Sequence, residues 1–189
     1  PTPLEVLENP WIQWAVLLPR DISIPEFDPI RENGVRGLRA LGLRTGLTHM
    51  EWFRRPAGDV AISEVAARPP GAQFTSLLSY AHDLDMYSAW ARLEIFGEFT
   101  PPERRYAVGA VYLRGQGGGR VVAVHGLDEL QPEFGDLVVE AVLPSRGQPP
   151  SGTYEGEGHV ILRHPETEVV ERALRRVVEL AQVEMGDGI

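Results

Sequence analysis

The chain has 189 residues, 43% of them apolar and 24% charged, with a net charge of −9, a balance that fits one or two globular domains with a real core. The scattered acidic excess argues against nucleic acid or an anionic membrane as the main partner, and neither a run of roughly 18 apolar residues nor a signal peptide is present. Cysteine and lysine are both absent, all eighteen basic residues being arginine, which excludes disulfides, thiolate metal sites, thiol nucleophiles, Schiff-base chemistry and an ammonium grip on phosphate.

A cytoplasmic location is the expectation. The opening residue is Pro1 rather than Met, which reads as a piece cut from something longer.

In chain order, Trp11–Leu18 reads as a strand closed by Pro19. Asp28–Leu41 reads as a helix, with Ile30, Val35, Leu38 and Leu41 on one side, ended by Gly42. Thr45–Phe53 and Val60–Ala67 form a β-hairpin, stopped by Pro69-Pro70-Gly71. Thr75–His82 and Met86–Phe96 are two helices, and Thr100-Pro101-Pro102 marks a boundary between residues 1–99 and 100–189. Tyr106–Leu113 and Arg120–His125 are expected as a second hairpin around Gly115–Gly119. Leu137–Leu143 and His159–Arg163 are short strands separated by a Gly/Pro-rich loop at Ser145–Gly158. A final amphipathic helix, Glu166–Met185, carries Val170, Leu174, Val177, Val178, Ala181 and Met185 on one face, with Gly186 as its cap. Strands and helices are mixed and hairpins dominate, so the fold class is α+β.

The first hairpin carries the chemistry. A two-residue turn centred on Ala57-Gly58 sets Pro56 opposite Asp59, Phe53 opposite Ile62 and Glu51 opposite Glu64. Opposed strand residues share a face, with Cβ atoms roughly 4.5–5.5 Å apart, and like charges there are destabilising. Two facing carboxylates therefore call for a cation. The same register puts His49 and Arg68 on that face and turns Met50, Trp52, Val65 and Ala67 to a core. A Mg²⁺ or Mn²⁺ ion suits the pair, since magnesium takes one or two carboxylates and fills its shell with waters and phosphates. Arg68 would then neutralise charge on a transferring group. The competing reading is a pair of solvated carboxylates relieved by Arg54, Arg55 or Arg68.

Other candidates fail on their chemistry. His49-Met50-Glu51 matches the His-x-Glu of zinc deaminases, but the required Pro-Cys-x-x-Cys cannot exist here. The glycines at 115–119 lie between strands and lack a following lysine, so they read as a turn rather than a phosphate loop. His82, beside Asp83 and Asp85, marks a helix junction. His125, His159 and His164 show no ligand spacing, and Ser145 and Ser151 lack a nucleophile elbow.

Two segments, Ala40-Leu41-Gly42-Leu43-Arg44-Thr45-Gly46-Leu47-Thr48-His49-Met50-Glu51 and Ile62-Ser63-Glu64-Val65-Ala66-Ala67-Arg68-Pro69-Pro70-Gly71, resemble the ATP-grasp superfamily. The likeness is to its carboxylate–amine ligases, related to the amino-acid ligases and biotin carboxylase. The resemblance implies a C-terminal half of an ATP-grasp domain, with a mainly antiparallel sheet and flanking helices over 1–99 and a small α+β subdomain over 100–189. It implies metal binding by Glu51 and Glu64, a catalytic role for Arg68, and substrate contacts from His49 and Gly71. Ala66 stands where the family commonly has Asn, and Pro70 where it has a glycine.

The implied activity is ATP-dependent joining of a small-molecule carboxylate to an amine or thiol through an acyl phosphate, with ATP and Mg²⁺ (or Mn²⁺) as cofactors. The nucleotide lid and its lysines are expected upstream of Trp11, so the isolated chain is expected to be inactive. The alternative is a degenerate, non-catalytic ATP-grasp-like module for interaction or dimerisation. A strand edge in the C-terminal region would allow a homodimer.

Overall fold

A computed structural model describes residues 5, 8, 9, 12–153 and 155–187. Trp11, where the first predicted strand begins, and Tyr154, inside the predicted 145–158 loop, lie outside them. The elements in chain order are β1 (Trp14–Leu18), α1 (Asp28–Ala40), β2 (His49–Arg54), β3 (Val60–Ala66), α2 (Phe74–His82), α3 (Met86–Phe96), β4 (Ala107–Leu113), β5 (Gly115–Gln116), β6 (Arg120–His125), α4 (Leu127–Phe134), β7 (Val138–Val142), β8 (Gly158–His164), α5 (Thr167–Leu180) and β9 (Gln182–Gly186). Helices and mainly antiparallel strands are mixed, as an α+β fold requires. No helix among the described residues is long and apolar enough to cross a membrane.

The chain divides into two units, one made of Pro1–Arg20 with Arg105–Ile189, the other of Asp21–Arg104. The second crossing falls near the Thr100 boundary read from the prolines. The first strand, however, belongs with the later residues. β1 pairs antiparallel with β4 from Trp14 opposite Tyr112 to Leu18 opposite Val108, and the rings of Trp14 and Tyr112 stack with centroids 4.6 Å apart.

In that unit the sheet order is β1-β4-β8-β7. β4 reads Ala-Val-Gly-Ala-Val-Tyr-Leu and is buried at every position, the near-continuous apolar run expected of a central strand covered on both faces. Helix α5 lays Val170, Ala173, Leu174 and Val177 against this core. Each large apolar side chain so buried contributes about 1.5–3 kcal/mol. Leu174 sits so close to Gly109 of β4 that a Cβ there would overlap it.

Three expectations need correction in this unit. β4 and β6 do not form a hairpin: β6 joins a separate sheet of order β5-β9-β6, and β5 runs parallel to β9. The final helix ends at Leu180, because Ala181 turns extended (φ −70°, ψ 122°) and residues 182–186 become β9, pairing with β6. Gly186 is therefore the end of a strand, not a helix cap. The alternation of buried Val183 with exposed Gln182 and Glu184 is the pattern of a strand. A further helix, α4, was not anticipated. Gly126 (φ +80°) leads into it, Asp128 and Glu129 occupy its first turn, and Pro132 lies inside it.

The unit Asp21–Arg104 holds the first hairpin between helices. α1 approaches the hairpin through its two glycines. A Cβ at Gly37 would lie 3.0 Å from Ile62 Cδ1, and one at Gly34 would lie 3.6 Å from Met50 Sδ. Both helices after the hairpin match their predicted ranges to within one residue. Asp85 caps α3 by accepting from the backbone N–H groups of Tyr87 (3.0 Å) and Ser88 (3.2 Å). Gly97 closes it in the left-handed region, donating its N–H to Leu93 O.

Candidate active site

The hairpin loop is one residue longer than a two-residue turn. Gly58 N donates to Arg55 O at 2.8 Å, and Arg55 N donates to Asp59 O at 2.8 Å. Pro56 and Ala57 form the bend and Gly58 takes the left-handed position (φ +88°), a three-residue loop with proline where its fixed φ suits the turn. Arg55 pairs with Asp59 across the base.

This loop sets Arg54 opposite Val60, Phe53 opposite Ala61 and Trp52 opposite Ile62. Phe53 therefore does not face Ile62, which corrects that part of the predicted register. A bulge follows between Glu51 and Trp52 on one side, with Ser63 the extra residue on the other. Beyond the bulge Glu51 stands opposite Glu64, Met50 opposite Val65 and His49 opposite Ala66.

Alternation then separates two faces. Met50 and Ile62 turn toward α1, as the glycine contacts require. Glu51, Glu64, His49 and Phe53 share the other face. Both carboxylates are exposed, and among the described residues neither makes a hydrogen bond or ion pair. His49 is half-buried, with its ring 6.3 Å from that of Phe74 in α2, and its Nδ1 is buried without a hydrogen-bond partner.

Arg68 and Gly71 fall beyond the ladder, since β3 ends at Ala66. Both lie in the exposed connection to α2, where the Arg68 guanidinium donates to Pro69 O at 3.0 Å. Strand register therefore does not set the face of Arg68. The buried Thr75 hydroxyl donates to Pro70 O at 3.1 Å and fixes the connection to the helix. Ala72 (φ 50°) and Gln73 (φ 62°) follow, both left-handed. Such conformations cost of order 1–3 kcal/mol each in non-glycine residues and cluster at functional loops. Neither residue type signals that conformation in a sequence, so this strained turn and the Phe74 ring beside His49 were missed.

Two oxygen-bearing side chains facing one another suit a hard divalent cation that completes its shell with water and phosphate. Among the described residues no group of three or more His, Asp or Glu side chains is placed to hold a metal unaided. The clefts of the other unit, including one of about 390 Å³ lined by Gly119, Arg120, Pro149, Pro150 and Asp187, contain none of the predicted site residues. That unit does bury a charged pair. Burial pushes the Arg114 guanidinium down, against the opposing effect of the Glu157 charge. Glu157 accepts from Gly115 N (2.6 Å) and Ser151 N (2.7 Å), which pins the 145–158 loop to the end of β4.

No protein-family model matches the chain, and no curated protein sequence matches it. Solved structures share its architecture. The L-amino acid ligase from Bacillus licheniformis aligns over 91% of this chain and 44% of its own, with a TM-score of 0.73 and 19% identity. The N5-carboxyaminoimidazole ribonucleotide synthetase from Thermotoga maritima aligns over 91% and 46%, with a TM-score of 0.66 and 19% identity. The biotin carboxylase domain of a single-chain bacterial carboxylase aligns over 89% and 41%, at 0.52 and 14% identity.

These neighbours are ATP-grasp enzymes, and the chain has the fold of a portion of one. It spans less than half the length of the structures it matches.

Proposed function

We propose that this chain is the metal-bearing C-terminal part of an ATP-dependent ligase that joins a small-molecule carboxylate to an amine or thiol through an acyl phosphate. The observation that carries the reading is the opposition of Glu51 and Glu64 on an exposed strand face. Like charges placed there lower stability. A divalent cation between them turns that liability into a binding site.

Glu51 and Glu64 would hold Mg²⁺ or Mn²⁺. When bound, the ion supplies neutralisation of charge on phosphate oxygens, the dominant need in phosphoryl transfer. Arg68, on its short connection after β3, would stabilise the transferring phosphoryl group or the acyl phosphate by bidentate hydrogen bonding. His49 and Gly71 would contact the substrate. His49 has an apolar backing in Phe74 and an unsatisfied ring nitrogen, which suits it to receive a polar substrate group. ATP is the expected phosphoryl donor. The missing lysines must come from elsewhere, so the 189-residue chain alone is expected to turn over no ATP.

Titration of the chain with Mn²⁺, followed by loss of the free-ion electron paramagnetic resonance signal, tests the assignment. Binding should occur in the millimolar range and disappear in both Glu51→Gln and Glu64→Gln. Equal binding by the wild type and the two variants would refute it. ATP hydrolysis by the isolated chain would refute its dependence on the rest of the fold.

A further inference from the structure

In the unit made of Pro1–Arg20 and Arg105–Ile189, the large apolar side chains left exposed among the described residues are Val138, Val142 and Leu143, all on or directly after β7. β7 is one outer strand of the sheet β1-β4-β8-β7. The other outer strand, β1, has no exposed residue, whereas Val138, Ala141 and Val142 of β7 are exposed. Edge strands commonly carry an outward charge that discourages pairing. Here the one charged residue of β7, Glu140, is engaged by His159 Nε2 of the neighbouring β8 at 2.8 Å, and the rest of Leu137–Leu143 is apolar. The main chain is also set to accept a strand. Val142 O lies so close to Gly158 that a Cβ there would overlap it, so the main-chain groups of Val142 face β8. By alternation those of Ala141 and Leu143 face outward, and among the described residues no other segment meets them.

We infer that β7 pairs antiparallel with β7 of a second copy of this chain, about a two-fold axis at Ala141, joining the two sheets into one. Symmetry and charge select this register. An axis at Glu140 would set the two Glu140 carboxylates opposite each other, a destabilising like-charge pair. An axis at Ala141 sets Glu140 opposite Val142 of the second copy and lets the outward N–H and C=O of the two Ala141 residues bond each other. Asp136 and Arg146 stand five residues before and after Ala141. Antiparallel pairing therefore brings Asp136 of each copy to the end of the strand that leads into Arg146 of the other. Both side chains are exposed, and among the described residues neither makes an ion pair. The surface is thus complementary to itself, apolar at its centre and opposite in charge at its two ends, as an isologous interface requires.

The five-residue edge buries less than a standard interface, so sedimentation equilibrium of the 189-residue chain should show a reversible dimer with Kd on the order of 10–100 µM. Asp136→Arg or Arg146→Asp alone should weaken it at least about tenfold, and the two together should restore it to within about threefold. Both positions are exposed, so each variant should melt within about 2 °C of the wild type at a dilution where the chain is monomeric. Because the chain has no cysteine, oxidation of Ala141→Cys should give a disulfide-linked dimer, the two paired Cα atoms lying about 5.5 Å apart. A chain still monomeric at about 1 mM overturns the inference. So does a dimer whose Kd neither charge reversal moves, which would place the contact on another face. A double reversal that fails to recover affinity overturns the register and the pairing with it. Slow amide exchange at Ala141 in the monomer would show that the edge is covered within the chain, and overturns it too.

Discussion

Glu51 and Glu64 face each other because two irregularities cancel. The three-residue loop at Pro56-Ala57-Gly58 shifts the ladder by one residue relative to a two-residue turn, and the bulge at Ser63 shifts it back. Between loop and bulge, the one-residue shift turns Ile62 toward α1, where it packs against Gly37. Beyond the bulge, the carboxylates return to the exposed face. A single hairpin thus packs Ile62 on α1 and leaves both carboxylates on the exposed face, with Ser63 as the joint between the two registers.

Deleting Ser63 should leave Glu51 opposite Glu64. Without the bulge, Ile62 still faces Trp52 and Glu64 becomes its sequence neighbour, so the alternation of faces survives as a regular ladder. Cross-strand nuclear Overhauser contacts between residues 51 and 64 should persist in the deletion variant. Their replacement by contacts between residues 51 and 65 would show that the bulge does not set the register.

Gly126→Ala should destabilise the C-terminal unit by at least about 2 kcal/mol, from left-handed strain plus overpacking. Gly126 has φ +80°, and an added Cβ would overlap the Leu180 carbonyl at the junction of α5 and β9. For a chain of this size that is a fall of several degrees in melting temperature. A variant melting at the wild-type temperature would contradict the close approach of β6 and the end of α5.

The cap of α3 should titrate. Hydrogen bonds to the Asp85 carboxylate, led by the Ser88 hydroxyl, hold its pKa below the usual 3.8. A depressed carboxylate contributes stability that is present in full above the unfolded pKa and lost as pH falls through the folded pKa. The stability difference between the wild type and Asp85→Asn should therefore be constant from neutral pH down to about 4 and shrink below it. A difference independent of pH down to about 2 would contradict the ionised cap.

Much of this was legible in the residues. β1, α1, both hairpin strands, α2, α3, β4, β6, β7 and β8 all carry local periodicity and stop signals, and Asp85 and Gly97 cap the helix they bracket. The opposition of Glu51 and Glu64 was also read, but from a turn type that does not occur. The loop and the bulge each move the ladder by one residue, and pattern alone cannot locate a bulge that helix packing requires. The helix-to-strand change at Ala181 escaped because Ala181 and Met185 continue the apolar stripe of α5 at helical spacing. Only pairing with β6 and β5, remote in sequence, makes residues 182–186 a strand. α4 was hidden by Pro132, which reads as a breaker but is tolerated in so short a helix. The pairing of β1 with β4 spans some ninety residues, and no local signal encodes it.

The central claim is that facing carboxylates have been kept for a metal at the expense of stability. Melting of wild type and Glu64→Gln, with and without Mn²⁺, tests it most directly. Without metal, removing one charge should raise stability by roughly 0.2–1 kcal/mol, toward the low end because both groups are exposed. At a Mn²⁺ concentration of ten times Kd the wild type should gain about 1.4 kcal/mol and the variant nothing. A Glu64→Gln chain that is less stable without metal, or that gains as much from Mn²⁺ as the wild type, would contradict the account.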